Sequence, residues 1–452
     1  MTSAPGTGGD PAQGFAKAVE MCNNNGHCRK FDAGTMCPSY RVTREEKHVT
    51  RGRANTLRLA LSSQLDESGL ATAEVKEALD LCVGCKGCKR ECPTGVDMAK
   101  MKLEFTHQYK AKHGYTLRDR LIGTLPKYAH WIANTPGLPG LFNFRNKNQG
   151  IANLLEKFTG ISAQRKLPSW TKDTAFTRSF EEEFELTSLE ELKNAHKPVV
   201  FWVDTFNGFF ESQNIRAALA VLKAGGFSVH LLRKENGHYC CGRTFMSTGM
   251  MDQAKASAKE LLDVLMPITQ QGIPIIGLEP SCLLSLRDEY LVMGLGYSAE
   301  ELNQLANSSK LFEEFLFEEY QQGRLHLKLT DAKNTIQVHG HCHQKAMDTV
   351  KPLLDLLAII PKAKVEMIET SCCGMAGSFG YEAEHLEVSK QMAELSLLPS
   401  IRNQPDAIVV ANGVSCRHQI HDGSEKQALH VAQVLAMHLQ EKSFSTSVFS
   451  IN

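Results

Sequence analysis

The sequence predicts a multidomain protein in which an α-helical, ferredoxin-like domain precedes two copies of an α/β domain built on a parallel sheet. Three observations support this fold class: seven of the fourteen cysteines lie between residues 22 and 92, a Cys-Cys-Gly tripeptide occurs twice, and strand-like and helix-like stretches alternate around each tripeptide. A chain of 452 residues is also too long for a single core.

The expected domain boundaries follow changes in composition along the chain. The first residues are rich in glycine, proline and alanine, which is typical of a flexible segment, and they lack the basic and apolar regions of a secretory signal. We expect a flexible start at 1–14, the ferredoxin-like domain at 15–114, a connecting segment at 115–197, the α/β domains at 198–330 and 331–440, and a tail at 441–452.

The overall composition limits the classes of function. Lys plus Arg and Asp plus Glu both number 50, so the net charge gives no indication of nucleic-acid binding or of attraction to an anionic membrane. Fourteen cysteines without a secretory signal favour metal ligands over disulfides and predict a cytoplasmic protein. No apolar stretch is long enough to span a membrane, so we expect any membrane contact to be peripheral.

The second cysteine run has the spacing C-x2-C-x2-C-x3-C-P, which is typical of cubane iron–sulfur clusters. Its members are Cys82, Cys85, Cys88 and Cys92, the last followed by Pro93. Three thiolates on one tight loop can hold three irons of a cube, and the fourth is turned toward a neighbouring cube. Four thiolates also suit zinc, but zinc sites usually place two C-x2-C pairs well apart, so the spacing favours iron and sulfide.

The first run departs from this pattern. It contains Cys22, Cys28 and Cys37, with Asn25 at the middle ligand position and eight residues between the last two cysteines. If the fourth cysteines are exchanged between cubes, one complete set is Cys37, Cys82, Cys85 and Cys88, and an incomplete set is Cys22, Cys28 and Cys92. The open corner would leave a three-iron cluster or be filled by Asn25, His27 or water. One cube with spare thiols is the alternative.

Helices are expected next to each cysteine loop. The stretches 53–64 and 73–81 have helical character, and Asp97 is a plausible N-cap for an amphipathic helix that ends at Gly114. The connecting segment is rich in proline and aromatic residues and contains an acidic run at 181–185. We interpret it as a linker of short helices that packs on the domains it joins, with a membrane-surface or subunit-docking segment as the alternative.

The remainder of the chain contains an internal repeat. Cys240-Cys241-Gly242 recurs 132 residues later as Cys372-Cys373-Gly374, and Cys282 recurs 134 residues later as Cys416. The expected strands are 199–203, 227–232 and 274–278 in the first copy and 335–338, 364–368 and 407–410 in the second. The expected helices are 215–224, 252–265, 349–358 and 384–397. Nearly every cysteine follows a strand, at the carboxyl edge where α/β sheets bind ligands.

The two motifs resemble a known family. The segments MCNNNGHCRKFDAGTMCPSY at 21–40 and RGRANTLRLAL at 51–61, together with both Cys-Cys-Gly segments, resemble the iron–sulfur half of bacterial FAD-linked D-2-hydroxy-acid dehydrogenases. They are also similar to the iron–sulfur subunits of glycolate oxidase and anaerobic glycerol-3-phosphate dehydrogenase, and to the catalytic subunit of heterodisulfide reductase. The likeness covers about residues 15–435. It implies that the repeats are cysteine-rich domains that can bind a non-cubane four-iron cluster.

Compared with that family, the cysteine sets of this chain are incomplete. A full repeat has an early cysteine, the Cys-Cys pair and a closing C-x2-C. The first copy retains Cys240, Cys241 and Cys282, with the early position within 204–206 and Glu279 at the start of the closing pair. The second copy retains Cys342, Cys372, Cys373 and Cys416, with Gly413 in the remaining place. The resemblance therefore implies a cluster in the second copy rather than in the first.

Three histidines flank the early cysteine of the second copy. They are His339, His341 and His343. A histidine in such a position is more often a hydrogen-bonded structural group than a ligand, although imidazole does suit iron. We take His341 and His343 as the candidates to replace the missing thiolate. The glycines after both Cys-Cys pairs do not match a nucleotide-binding pattern, so a phosphate-binding loop is excluded.

The resemblance implies an electron-transfer component of a flavin-dependent dehydrogenase for a 2-hydroxy acid or for glycerol 3-phosphate. FAD would be bound only by a partner subunit, because this sequence lacks a dinucleotide fingerprint, and a quinone or another carrier would be the acceptor. Such a protein would be cytoplasmic, or peripheral on the cytoplasmic face of the inner membrane. Two alternatives are a thiol–disulfide enzyme like heterodisulfide reductase, and a scaffold with metal only in its ferredoxin-like domain.

Overall fold

The structure is a computed structural model that describes residues 14–440 except 32–33, 66–68, 178–179, 181–183, 185 and 235–236. The expected flexible start, the tail at 441–452 and most of the acidic run at 181–185 lie outside the described residues. The predicted fold class is confirmed: a helical domain is followed by two α/β domains with parallel sheets. Within these residues, every helix is too short or too polar to cross a membrane.

The first part of the chain is helical. Its helices are Phe15–Glu20, Pro38–Thr43, Thr50–Leu61, Ala73–Asp80, Gly87–Glu91 and Met98–His113, with single 3-10 turns at His27–Arg29 and Glu46–His48. The side chain of Asp97 accepts a hydrogen bond from the Lys100 N–H and begins the last of these helices as expected. Val19, Leu57 and Met98 are fully buried between the helices, and the cysteines of both runs except Cys85 lie in or around this core.

The connecting segment forms short helices that pack on the rest of the protein. They are Leu117–Gly123, Leu125–Asn134, Leu138–Lys147, Gln149–Thr159 and Leu189–Leu192. Trp170 packs against Phe210 of the first α/β domain with ring centroids 4.7 Å apart. Large apolar side chains nevertheless remain exposed on these helices, among them Trp131 (60%), Leu141 (66%) and Phe158 (71%). Large apolar side chains exposed on neighbouring helices are typical of an interaction surface.

The first α/β domain has a four-stranded parallel sheet. Its strands are β1 (Pro198–Trp202), β2 (Ser228–Leu232), β3 (Ile275–Gly277) and β4 (Ser309–Leu311), in the order β2-β1-β3-β4. Its helices are Thr205–Phe209, Ser212–Ala224, Arg243–Ser247, Met251–Gln270, Pro280–Leu286, Ala299–Ser308 and Phe312–Gln321, with a 3-10 turn at Glu289–Val292. The strand β4 was not expected from the sequence, because its three residues are mostly polar.

The second α/β domain repeats the arrangement with fewer strands. They are β5 (Ile336–Val338), β6 (Val365–Met367) and β7 (Ile408–Val410), in the parallel order β6-β5-β7. Its helices are Cys342–Ala346, Val350–Leu357, Leu386–Glu394, Leu397–Arg402, Val414–Ser424 and Val431–Met437, with a 3-10 turn at Phe379–Tyr381. One continuous hydrophobic cluster contains residues of both sheets, so the two copies share a core.

Candidate metal centres

Four cysteines from both runs line one cavity in the helical domain. They are Cys37, Cys82, Cys85 and Cys88. Cys37 is the residue before helix Pro38–Thr43, Cys82 follows helix Ala73–Asp80, and Cys88 lies in helix Gly87–Glu91. The structure thus brings together the four thiols of the complete set expected from the exchange of fourth cysteines. Four soft sulfur donors around one cavity fit a cubane cluster.

Burial raises the pKa of three of the thiols that line the cavity. It raises the pKa of Cys85 and Cys88 well above the usual value, and neighbouring cysteines add to the effect. Burial also raises the pKa of Cys37, while the Arg53 guanidinium and the hydrogen bonds from Thr50 oppose it. Thr50 contacts the Cys37 Sγ through its Oγ1 at 3.0 Å and its N–H at 3.2 Å. Metal binding at this site must therefore release protons.

The two cysteine runs are held together by a carboxylate and a close backbone approach. Glu91 accepts hydrogen bonds from the N–H groups of Thr35 at 2.5 Å and Met36 at 3.3 Å. A Cβ at Gly87 would lie 3.0 Å from the Met36 nitrogen, so glycine is required for this approach. The loop before Cys37 is thereby fixed against the loop that carries Cys85.

Cys22 and Cys28 form the beginning of a second candidate site. Burial raises the pKa of Cys28 to about 11, and the nearby Cys37 and Cys22 contribute. Asn25 is exposed, and its Oδ1 accepts the His27 N–H at 2.8 Å. The Asn25 side chain therefore stabilises the turn between the cysteines. Cys92, the expected third ligand, packs against the same core and its Sγ lies 3.3 Å from the Thr94 Oγ1.

The three cysteines of the first α/β domain converge after β2 and β3. Hydrogen bonding to Cys241, together with burial, raises the pKa of Cys240. A hydrogen bond with Cys241 lowers the pKa of Cys282, but burial and the carboxylates of Asp204 and Glu279 together raise it to about 11. These thiols are therefore in mutual contact in a buried, acidic environment.

The helix caps show which residues of the first copy occupy the positions of the missing cysteines. Asp204 caps the helix after β1, as His341 caps the helix after β5, so Thr205 corresponds to Cys342. The Thr205 Oγ1 lies 2.8 Å from the His238 Nε2 and 3.8 Å from the Cys240 Sγ. Glu279 caps the helix that carries Cys282 and corresponds to Gly413. The first site thus has three thiols, a hydroxyl and a carboxylate.

All four cysteines of the second α/β domain lie in one buried cluster. They are Cys342, Cys372, Cys373 and Cys416. Hydrogen bonds with Cys372 and Cys416 lower the pKa of Cys373 well below the usual value despite burial. A nitrogen of His339 and the sulfurs of Cys373 and Cys416 lie within 4.8 Å of one another. Nitrogen and sulfur donors in this number fit an iron or iron–sulfur centre.

Glycine is essential after the second Cys-Cys pair. Gly374 has φ +88°, and a Cβ there would lie 2.4 Å from the Ser389 carbonyl oxygen, a backbone atom that cannot move aside. We expect Gly374→Ala to lower the free energy of unfolding by about 2–4 kcal/mol, because it combines backbone strain with a core clash. Chemical denaturation measures this, and metal content should fall in parallel.

Gly377→Ala is the matched control for that substitution. Gly377 also has a positive φ, of +65°, but an added Cβ would meet no atom within 4 Å. We expect a loss of only about 1 kcal/mol from backbone strain. Equal losses for the two variants would contradict the role of the Ser389 contact.

The loop of the first centre contacts the second α/β domain directly. Cys85 belongs to the buried cluster that contains Cys342 and Cys373, and the partly buried Val83 packs against it. The proximity of Cys342 contributes to the raised pKa of Cys85. His343 Nε2 lies 3.2 Å from the Gly84 carbonyl oxygen. The complete thiol set of the helical domain and the cysteine cluster of the second copy are therefore neighbours.

A buried ion network joins the same loop to the first α/β domain, and the sequence analysis missed it. The Lys86 ammonium lies 2.6 Å from carboxylate oxygens of both Asp288 and Glu289. Arg243 joins the network at Glu289, at 2.8 Å, and its Nη2 lies 3.2 Å from the His343 Nδ1. Lys86 and Asp288 are 202 positions apart in sequence.

A second interface contact depends on pH. His385 of the second α/β domain lies between Asp80 of the helical domain, at 3.4 Å, and Glu382, at 2.9 Å. Although burial lowers it, hydrogen bonds to the two carboxylates raise the pKa of His385 to about 9. A raised pKa in the folded state means that the stabilisation is complete below about pH 6.5 and is lost as the pH rises through 9.

We therefore expect the free energy of unfolding to fall by about 1–2 kcal/mol between pH 6.5 and 9.5, after allowance for solvent screening. Urea denaturation at a series of pH values measures this slope. His385→Gln should flatten the curve over that interval. An unchanged slope in the variant would show that another group carries the pH dependence.

The fold and the cysteine clusters are those of an iron–sulfur protein with cysteine-rich domains, and comparison with known families agrees with this class. Residues 18–96 match the 4Fe-4S dicluster domain, and residues 205–287 and 336–421 each match the cysteine-rich domain. The chain therefore contains a 4Fe-4S dicluster domain and two cysteine-rich domains, and this combination supports the predicted resemblance to iron–sulfur subunits of this kind.

Individual relatives are oxidoreductases or their components. The chain is 28% identical over 455 residues to the D-2-hydroxyglutarate dehydrogenase of Escherichia coli K12, covering 92% of this chain and 43% of that protein. It is 25% identical over 311 residues to one of the subunits of the anaerobic glycerol-3-phosphate dehydrogenase of the same organism, covering 68% and 74%. It is 23% identical over 443 residues to the glycolate oxidase iron-sulfur subunit of that organism, covering 94% and 95%.

The chain thus spans less than half the length of the D-2-hydroxyglutarate dehydrogenases that it matches, but nearly all of the glycolate oxidase iron-sulfur subunit. It is an oxidoreductase component with iron–sulfur domains, as the sequence predicted.

Proposed function

We propose that this chain transfers electrons from an FAD-containing dehydrogenase partner, which oxidises a 2-hydroxy acid or a similar substrate, to a quinone or another carrier. The observation that carries the proposal is the contact between the Cys85 loop and the cysteine cluster of the second α/β domain. Two redox sites in direct contact through protein form a continuous path for electrons.

The proposed arrangement has two centres in the helical domain and a third in the second cysteine-rich domain. Cys37, Cys82, Cys85 and Cys88 would hold a complete cube, and Cys22, Cys28 and Cys92 would hold a cluster with one protein ligand fewer. The dicluster match at residues 18–96 supports two clusters there. Bound iron–sulfur clusters supply one-electron transfer at potentials that the surrounding protein tunes.

Residues of this chain would set those potentials and keep water away from the path. Thr50 donates its N–H to the Cys37 sulfur at 3.2 Å, and Gly374 donates its N–H to the Cys372 sulfur at 3.4 Å. Hydrogen bonds of this kind stabilise the reduced, more negative state of a thiolate-bound centre. The Lys345 ammonium is buried close to the four cysteines of the second copy and acts in the same direction.

The relatives support the nature of the partner. Two are named as single subunits of a larger oxidase or dehydrogenase, and a third is a dehydrogenase chain more than twice as long as the matched region. Separate subunits and one longer chain are both expected if a flavin-binding domain or subunit works together with these iron–sulfur domains. The exposed apolar surface that includes Trp131, Leu141 and Phe158 fits binding to such a protein partner.

Anaerobic purification followed by metal analysis and an EPR redox titration tests the proposal. We expect iron and sulfide in nearly equal amounts and at least two signals with different midpoint potentials. Reduction by a flavin-containing dehydrogenase in the presence of its 2-hydroxy acid should develop these signals. A colourless protein with zinc as the stoichiometric metal would refute the proposal, and iron confined to the helical domain would support the scaffold alternative.

A further inference from the structure

One histidine beside the second cysteine cluster has a ring nitrogen whose neighbours are cysteine sulfurs. His339 follows β5 and is 1% exposed. Its Nδ1 lies 2.9 Å from the Thr370 Oγ1, whereas its Nε2 is buried, has no nitrogen or oxygen partner among the described residues, and pairs with the Cys373 thiol. A thiol is a weak hydrogen-bond partner, and a metal that binds the thiolate can also bind the imidazole nitrogen beside it, so this arrangement fits a shared metal site.

The surroundings of His339 match those of a metal ligand. Since Nδ1 is held by Thr370, the nitrogen available to the sulfurs of Cys373 and Cys416 is Nε2, and all three donor groups lie within 4.8 Å of one another. Metal-bound histidines commonly use their second nitrogen for a hydrogen bond that fixes the ring, which is the role of Thr370 here. Thr370 is fixed in turn by the Lys345 ammonium at 2.8 Å.

The two histidines favoured by the sequence analysis are used differently. His341 Nδ1 accepts the His343 N–H at 3.2 Å, so in the neutral ring the proton lies on Nε2 and that nitrogen is a donor. Both ring nitrogens of His343 lie 3.2 Å from polar atoms, one from Gly84 and the other from Arg243. Both nitrogens of His343 are therefore engaged by nitrogen or oxygen atoms of the protein, whereas the Nε2 of His339 is paired only with cysteine sulfur among the described residues.

The first copy has no equivalent of this histidine. Two residues before the capping residue, Trp202 takes the place of His339, and its indole N–H donates to the Tyr239 carbonyl at 2.9 Å. In the second copy, a Cβ at Gly413 would lie only 2.5 Å from the His341 ring, which fills the space of the missing cysteine. The lost thiolate therefore cannot be restored from position 413 without displacing His341.

We propose that His339 Nε2 is a ligand of the metal centre in the second cysteine-rich domain, which then has a donor set of four cysteines and one histidine. The inference rests on the proposed presence of a centre in that domain. A neutral imidazole in place of a thiolate makes the centre less negative and therefore raises its potential, as histidine does in Rieske centres. The second site would be the more oxidising end of the path.

Pulsed EPR of the full chain with ¹⁵N-labelled histidine tests this assignment. The signal to observe is the one that Cys373→Ser abolishes, and we expect it to show strong coupling to one histidine nitrogen. His339→Cys should remove that coupling and shift the midpoint potential to a more negative value. His341→Gln is the matched control and should retain both the coupling and the potential.

The remaining outcomes each contradict the assignment. A coupling that persists in His339→Cys, or its loss in His341→Gln, would overturn it. A Cys373-dependent signal without nitrogen coupling in the labelled wild type would also overturn it, and this measurement does not depend on any variant's folding. If Cys373→Ser changes neither the EPR signals nor the iron content, both the inference and the third centre are refuted. The signals of the helical domain would still test the proposed electron-transfer function.

Discussion

Cys85→Ser is expected to abolish the EPR signal of the complete cube and to slow the reduction of the second cysteine-rich domain by at least about tenfold. Cys85 is 8% exposed, lines the cavity of the first centre and lies in the buried cluster of the second. A serine hydroxyl is a poor ligand for iron at neutral pH, because soft thiolates are preferred. The substitution therefore affects both a proposed ligand of the cube and a direct contact with the second cysteine cluster.

Low-temperature EPR and rapid-mixing reduction measure the two effects separately. Cys282→Ser in the first α/β domain is a control, because this buried cysteine lies outside both the cavity and the second cluster. It should leave the cube signal and the reduction rate unchanged. A Cys85→Ser protein with an unaltered spectrum would show that the cube is bound elsewhere.

The second large effect concerns stability. Lys86→Met should lower the free energy of unfolding by about 3–5 kcal/mol, because it leaves buried carboxylates without their central cation. Burial alone would raise the pKa of Asp288, but Lys86, Lys100 and Lys89 hold it well below its usual value. Methionine preserves most of the length of the side chain, so the loss reports on charge. Equilibrium denaturation of the purified protein measures it.

Lys259→Met is the matched control. Its ammonium lies 2.9 Å from Asp263, but the two side chains are 57% and 52% exposed. An exposed pair four residues apart on a helix contributes only about 0.3–0.5 kcal/mol. If both substitutions had similar small effects, the network around Lys86 would contribute little to the docking of the helical domain.

The fold class could be predicted because its signals are local. The C-x2-C-x2-C loop, the Asp97 cap and the alternation of strands and helices each depend on neighbouring residues, and the structure has the corresponding elements. Short or polar elements escaped detection. The strand Ser309–Leu311 has one apolar residue and no β-branched residue, so propensity gave no signal for it.

Long-range features could not be predicted. Lys86 and Asp288 are 202 residues apart, and each looks like an ordinary surface charge in sequence. The choice among the three histidines was likewise beyond the sequence, since it depends on which ring nitrogen already has a partner. The sequence also did not show which residue of the first copy takes the early cysteine position. The equivalent helix caps of the two copies show that this residue is Thr205, which lies beside Cys240.

The hydrophobic cluster common to both sheets has an evolutionary consequence. Val199, Phe201 and Ile276 of the first sheet and Ile336, Val338 and Val410 of the second belong to it. Deletion of the first α/β domain would expose to water the apolar residues of the second α/β domain that now belong to the shared core. The first repeat could therefore lose cysteines during evolution without losing its structural role. One copy of the duplicated domain would then support the fold, while the other copy retains the metal-binding function.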